Sequence, residues 1–184
     1  PGPIFVLDRD TPVPADRMLF DHEGAMRMAV DYLVGLGHRR ILPVFSHALR
    51  RPGQLRQMAF EAAMTSAGLE ISGWVAPRTQ SCPVFAEVCA AMEGPDRPTA
   101  MVVQGTGLLS STLNALARLR LRIPEDVALL AIGDSALTEE HMPPITALCL
   151  DRSVLVEAIS DRVLAQIRGQ VSGVSDQFLA YKLV

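Results

Sequence analysis

Apolar residues along this chain follow two patterns, helical repeats and short continuous runs, which separate predicted helices from predicted strands. In the segment 21–45 they first recur at spacings of three and four, which predicts a helix over 23–36 with one apolar face. That face consists of Ala25, Met28, Ala29, Tyr32, Leu33 and Leu36. Gly37 can close the helix, and the apolar run 41–45 then predicts a buried strand. A helix that leads directly into such a strand is half of a parallel α/β unit.

The same alternation of strands and helices continues to the end of the chain. Further helices are predicted at 54–67, 83–92, 108–119 and 154–167, and further strands at 4–7, 18–20, 74–76, 100–103, 127–132, 145–150 and 178–184. This order predicts an α/β fold in which parallel sheets are flanked by helices. Ligands of such folds bind at the carboxyl ends of strands, so the candidate ligand-binding residues there are Asp8, Ser46, Gln104, Gly105, Gly133 and Asp134.

Composition excludes several classes of protein. The 184 residues are 49% hydrophobic and only 20% charged, so the chain can bury a core as one domain or two small ones. The net charge of -3 argues against a nucleic-acid surface on this segment. No apolar run approaches the roughly 20 residues that span a membrane, so no membrane partner is expected. Cys82, Cys89 and Cys149 have no metal-type spacing, and no cofactor or metal site is indicated.

Several short segments, taken in order, carry a resemblance to a known family. They are Phe5 to Arg9, Asp21 with Gly24-Ala25, the exit Gly37-His38-Arg39-Arg40-Ile41, Arg56 with Phe60, Pro98-Thr99-Ala100, Ile123 to Val127, and Pro143 to Thr146. Together they extend over nearly the whole chain. This set resembles the effector-sensing domain of lactose-repressor-type (LacI/GalR) bacterial transcription regulators. The fold of that family is the two-lobed fold of type I periplasmic binding proteins.

The resemblance implies a particular domain organisation. Residues 1–20 and 151–177 are expected to form part of an N-terminal subdomain, so the first lobe is incomplete. Residues 21–150 and 178–184 are expected to form the C-terminal subdomain. A family member also carries a DNA-binding headpiece and the start of its N-terminal subdomain upstream of the segment that begins at Pro1.

The resemblance also implies a function. A small-molecule effector is expected in the cleft between the lobes, and lobe closure is expected to shift a two-state equilibrium that controls DNA binding through the absent headpiece. A cytoplasmic homodimer is expected, formed through the helix after Gly107 and the segment 137–142. One alternative is a solute-binding protein of a transport system, which shares the fold. An enzyme is a third alternative, but the sequence shows no nucleophile elbow, carboxylate pair or metal set.

Family members also indicate which side chains meet the effector. Arg56 matches an arginine that points into the cleft and binds hydroxyls or a carboxylate, and Arg50 is a second candidate partner for an anion. Asp8 either accepts hydrogen bonds from ligand hydroxyls or binds backbone N–H groups of its own turn. Asp21 either caps the following helix or belongs to the cleft.

Two departures from the family pattern concern the chemistry of the ligand. Sugar-binding members carry Asn-Asp where this chain has Gly105-Thr106, and Asp-Asp where it has Gly133-Asp134. The glycines leave more room and fewer hydrogen-bond acceptors. We therefore expect an effector that is larger than a monosaccharide, poorer in hydroxyls, or anionic.

Overall fold

The computed structural model describes residues 4–46, 51–71, 73–77, 84–133, 136–170 and 173–184. Their elements, in chain order, are β1 (Phe5–Leu7), β2 (Asp16–Phe20), α1 (His22–Gly35), β3 (Ile41–Val44), α2 (Arg51–Ser66), α3 (Phe85–Met92), β4 (Ala100–Gln104), α4 (Gly105–Arg118), β5 (Ala128–Ile132), α5 (Ala136–Glu139), β6 (Thr146–Leu150), α6 (Arg152–Ile167), β7 (Asp176–Leu179) and β8 (Tyr181–Leu183).

The strands form two sheets. A three-stranded parallel sheet has the order β1-β2-β7, and a five-stranded sheet has the order β3-β4-β5-β6-β8. The first four strands of the larger sheet are parallel, and only β8 runs antiparallel to its neighbour β6. The predicted α/β fold with parallel-dominated sheets is therefore confirmed.

Helices cover both faces of the five-stranded sheet. Along β4, Met101 and Val103 face one core, together with residues of α3 and α4. The alternate residues Ala100 and Val102 face the other core, together with residues of α1 and α2. All four of these β4 residues are fully buried. Burial on both faces explains why successive residues of the parallel strands are apolar rather than alternately apolar and polar.

The three-stranded sheet is less completely covered. Helix α6 packs beside it but has no residue in the fully buried class. Val156, Ile167 and Phe178 are strongly exposed. The apolar surface of this smaller sheet and its helix is therefore only partly covered by the described residues. None of the described helices is both long and apolar enough to cross a membrane.

The chain passes between the two sheets at three places. It leaves β2 for α1 at Phe20 and Asp21, leaves β6 for α6 at Asp151, and leaves β7 for β8 at Ala180. The first and third passages lie side by side, since the Asp21 N–H donates to the Leu179 carbonyl at 2.9 Å.

Several predicted elements differ in detail. The single strand predicted over 178–184 is wrong, because β7 and β8 are separate strands in different sheets. The predicted strand 74–76 is reduced to an isolated bridge between Val44 and Val75. Pro43 is tolerated in β3 because β3 is an edge strand, where a missing N–H costs no ladder bond. The four-residue helix α5 was not predicted, because it is too short to show a period.

Candidate functional site

Asp8 follows β1 at the carboxyl edge of the three-stranded sheet and faces the start of α1. Its backbone has a left-handed φ of 47°, and its N–H donates to the Met18 carbonyl at 2.7 Å. Both carboxylate oxygens lie 3.0 Å from Nε2 of His22, and Oδ1 also accepts from the Phe20 N–H at 3.3 Å. Asp8 therefore holds the start of α1 as well as the end of its neighbouring strand.

Arg56 approaches the same histidine from α2. Its Nη1 donates to Nδ1 of His22 at 3.4 Å, and it also hydrogen-bonds the side chain of Tyr181. Nε of Arg56 is buried without a hydrogen-bond partner among the described residues. Burial lowers the pKa of Arg56, although Tyr181 and Asp8 act in the opposite direction. The guanidinium is thus a buried cation whose Nε–H has no hydrogen-bond acceptor among the described residues.

Tyr181 comes to this group from the first position of β8. Burial raises the pKa of its phenol to about 12, even though the nearby Arg56 acts to lower it. The phenol is therefore neutral near pH 7. The rings of Phe20, His22 and Tyr181 lie within 6.2–6.3 Å of one another, centroid to centroid. We call Asp8, His22, Arg56 and Tyr181 the cleft cluster.

A cavity of about 150 Å³ borders the cleft cluster at Asp8 and His22. Apolar side chains form much of its wall: Leu19, Phe20, Pro52, Leu55 and Phe178. Pockets for small molecules usually measure about 300–1,000 Å³, so this cavity has room for part of a ligand.

A second group of candidates lies at the carboxyl edge of the five-stranded sheet. Both the N–H and the hydroxyl of Ser46 donate to Oε1 of Gln104, at 3.2 and 3.1 Å, so the ends of β3 and β4 are tied together. Gly105 and Gly133 have φ values of +74° and +99°, which side chains rarely adopt. Apart from its chain neighbours and the adjoining helix backbone, a Cβ at either position would meet no atom of the described residues within 4 Å, so the space beside them is open.

The remaining candidates divide into two cases. Asp21 caps α1, accepting from the Gly24 N–H at 2.8 Å, while a ligand-binding role for it stays a prediction. Arg50 and Asp134 lie outside the described residues. Within the described hydrogen bonds, Asp8 and Arg56 are linked through His22, and Ser46 is linked to Gln104.

Sequence reasoning missed His22 and Tyr181. His22 sits beside a capping residue and matches no metal or catalytic spacing, so nothing in the local pattern distinguishes it. Tyr181 was hidden in the single strand predicted over 178–184. The break at Ala180, which brings β8 beside β6, was the missing information. Among the described residues, no group of three His, Cys, Asp or Glu side chains could hold a metal ion.

Comparison with known proteins places this geometry in a family. Residues 30–184 match the family described as periplasmic binding protein-like domain. A solved structure of a LacI transcriptional regulator from a Rhodococcus species is 31% identical, with a TM-score of 0.84 over 99% of this chain and 68% of that one. The chain belongs to the LacI family. Its resemblance to the lactose-repressor type, inferred from the motifs above, is thereby confirmed.

Curated relatives of this LacI-family domain are named as repressors. The lactose operon repressor of Escherichia coli is 26% identical over 99% of this chain and 50% of its own length. The probable opine utilization operon repressor of Rhizobium rhizogenes is 27% identical over 83% of this chain and 81% of its own length. The chain thus spans about half the length of the lactose operon repressor. These relatives are transcriptional repressors and not enzymes.

Proposed function

We propose that this chain is the effector-sensing and dimerisation domain of a bacterial transcription regulator that controls DNA binding allosterically. One observation carries the proposal. The cleft cluster joins Asp8, at the end of the three-stranded sheet, to His22, Arg56 and Tyr181, which belong to elements packed around the five-stranded sheet. A ligand that binds between these side chains can change how the two sheets are arranged, and such a change is the basis of a two-state switch.

The proposed division of the chain follows the same sheets. Residues 1–20 and 151–177 are assigned to a partial N-terminal subdomain, and 21–150 with the end of the chain to the C-terminal subdomain. The sequence places the last boundary between residues 177 and 178, but β7 ends at Leu179 and pairs with β2. We therefore propose the third passage at Ala180, with 178–179 in the N-terminal subdomain.

The open space beside Gly105 and Gly133 supports the proposed class of effector. A LacI-type protein from Alkaliphilus metalliredigens that shares the fold, at 19% identity and a TM-score of 0.82, was solved with D-xylulofuranose. This chain instead places two glycines at the ends of β4 and β5, and a buried cation at Arg56. A ligand that is larger, poorer in hydroxyls or anionic suits that arrangement better than a simple sugar does.

A homodimer is proposed through α4 and the segment 137–142. These elements border a groove of about 510 Å³ that includes Leu113, Ala117 and Met142. A lac repressor dimer bound to operator and the anti-inducer ONPF shares the fold, at 24% identity and a TM-score of 0.83. DNA is proposed to bind through a separate headpiece, and the regulator is proposed to act in the cytoplasm.

The transport alternative predicts the same fold but different relatives. Curated proteins that match include the lactose operon repressor, the ribose operon repressor and the transcriptional repressor PurR of Vibrio vulnificus, and all three are regulators. The regulator is therefore favoured over a solute-binding protein.

The ligand site can be tested by screening the chain with panels of pentoses, hexoses, sugar acids, organic acids and nucleobases. Trp74 is the only tryptophan, and its ring lies 5.6 Å from that of Phe60, one turn after Arg56 on α2. Its fluorescence therefore reports on the helix that carries Arg56. We expect at least one ligand to change this signal and to raise the melting temperature.

The decisive comparison is between two arginine variants. Arg56→Gln should weaken binding of that ligand by about tenfold or more, since charged hydrogen bonds contribute about 1.5–3 kcal/mol. Arg27→Gln, on the exposed side of α1, should leave binding unchanged. Equal affinities of wild type and Arg56→Gln, or no response to any panel, would contradict the proposed site.

A further inference from the structure

His22 uses both ring nitrogens, and its two partners fix where its proton lies. The side chain is buried, at 3% exposure. Arg56 can only donate, so Nδ1 must accept the hydrogen bond from Nη1. The Asp8 carboxylate can only accept, so Nε2 must carry the proton that faces its two oxygens. The contacts therefore select one neutral tautomer, with hydrogen on Nε2.

We propose that His22 is the positioning residue that couples Arg56 to Asp8. Through this residue, ligand binding at Arg56 in one lobe affects the contact with Asp8 in the other lobe. The inference rests on the proposed function, in which the effector binds Arg56. A ligand acceptor that draws Nη1 away leaves Nδ1 without its donor. The ring then loses one of the two contacts that orient it, and the hydrogen bond from its Nε2 to Asp8 weakens.

The surroundings of His22 leave few other routes for this coupling. Asp8 faces the ring from the loop after β1, and Arg56 faces it from α2. The rings of Phe20 and Tyr181 approach it from β2 and β8. Among these neighbours only Asp8 and Arg56 carry charge near pH 7, because a phenol such as that of Tyr181 is neutral at this pH. Each of these two charged groups hydrogen-bonds the ring of His22.

The tautomer can be observed directly. Nitrogen-15 NMR of the ligand-free chain near pH 7.5 distinguishes a protonated ring nitrogen from an unprotonated one. The His22 signals can be assigned by their loss in His22→Asn, with His38, His47 and His141 as internal references. We expect the proton on Nε2, and a proton on Nδ1 would overturn the proposal.

Two near-isosteric variants separate the two hydrogen bonds. In His22→Asn the amide oxygen can take the place of Nδ1 and accept from Arg56, but the donor to Asp8 is lost. In His22→Gln the amide nitrogen can take the place of Nε2 and donate to Asp8, but the acceptor for Arg56 is lost. Either variant should break the link while keeping one of its contacts.

Double-mutant cycles measure the link itself. Asp8→Asn and Arg56→Gln are combined in the wild type and in each His22 variant, and urea unfolding gives the equilibrium constants. In the wild type we expect the two changes to be non-additive by roughly threefold or more. In both His22 variants they should be additive within about twofold.

The outcomes distinguish a relay through His22 from a direct interaction and from no interaction. Undiminished coupling in His22→Asn and His22→Gln would mean that Asp8 and Arg56 interact directly, and additivity in the wild type would mean that they are not coupled. Both results overturn the proposal. Since NMR and unfolding need no ligand, such a failure leaves the proposed effector site standing, and that site fails separately if Arg56→Gln binds ligand normally.

Discussion

Asp16 and Arg162 form a buried ion pair that fastens α6 to the three-stranded sheet. Nε of Arg162 lies 3.0 Å from Oδ1 of Asp16, and the side chains of Arg162 and Asp16 are 15% and 1% exposed. The same carboxylate accepts from the N–H and hydroxyl of Ser175, at 2.8 and 3.0 Å, and from Gln166. Because α6 contributes no fully buried residue, this polar contact is an important part of what holds it in place.

Removing the charge of Asp16 should therefore be costly. Asp16→Asn keeps the size of the side chain but leaves Arg162 without its counter-charge, and we expect unfolding to become easier by about 3 kcal/mol. Asp176→Asn is the matched control, since Asp176 pairs with Arg17 at 2.7 Å on a partly exposed surface. That change should cost about 1 kcal/mol or less. Urea unfolding measures both, and equal costs would show that burial of the pair does not matter.

The ion pair between Asp16 and Arg162 should also make the stability of the fold depend on pH. Burial acts to raise the pKa of Asp16, but its hydrogen bonds to Arg162 and Ser175 outweigh it and hold the pKa below the ordinary value of 3.8. The folded-state pKa is thus lowered, so the contribution is present above the unfolded-state pKa and is lost as pH falls through the folded one.

We therefore expect the urea midpoint of the wild type to decrease as the pH falls from about 5 to below 3, and the midpoint of Asp16→Asn to decrease less. Other carboxylates, including Asp126, titrate in both proteins, and their effect cancels in the comparison. Parallel pH profiles of the two proteins would argue against a lowered pKa at Asp16.

The periodic parts of the fold were predictable because their burial is simple. Strands β3 and β5, and β4 up to Val103, are apolar because they are covered on both faces. The predicted face of α1 was only half right: Ala25, Ala29 and Leu33 are buried, but Met28, Tyr32 and Leu36 are exposed. Met26 and Val30 are buried instead, so the buried face is rotated around the helix from the predicted one. The pattern alone gives these elements to within about three residues. It fails where a boundary depends on a partner distant in sequence, as at Ala180, where β7 pairs with β2 and β8 pairs with β6.

The site was less predictable for a related reason. Asp8 was predicted from its position at the end of a strand, and Arg56 was predicted from the family resemblance. The residue that joins them, His22, is recognised only when the loop after β1, the start of α1 and α2 are seen together. Its partners are 14 and 34 residues away in sequence, so no local spacing indicates them.

The proposed homodimer gives a separate prediction at Met142. This side chain is 85% exposed and borders the groove beside α4. Met142→Glu should place a charge in the interface and weaken self-association by about tenfold or more, which corresponds to about 1.4 kcal/mol. Met58→Glu is a matched control, because Met58 is also strongly exposed but lies on α2. Sedimentation velocity over a concentration series gives both dissociation constants. A larger effect at Met58 would place the interface elsewhere.

Asp21 and Gly24 should be energetically dependent on each other. A Cβ on Gly24 would collide with Oδ2 of Asp21, so alanine there forces the capping carboxylate to move. In most helix positions, replacing glycine with alanine stabilises by about 0.5–1 kcal/mol. Here that gain is offset by loss of the cap, which is worth about 1 kcal/mol. Gly24→Ala should therefore change the stability of the wild type little.

The gain should reappear once the cap is gone. Asp21→Ala alone should destabilise by about 1 kcal/mol, and adding Gly24→Ala to it should restore about 0.5–1 kcal/mol. Asp31→Ala, on the exposed surface of the same helix, serves as a background in which Gly24→Ala should again have little effect. Thermal or urea unfolding of the set measures the coupling. If Gly24→Ala stabilises the wild type as much as it stabilises Asp21→Ala, the carboxylate accommodates the methyl group without losing its hydrogen bond to the Gly24 N–H.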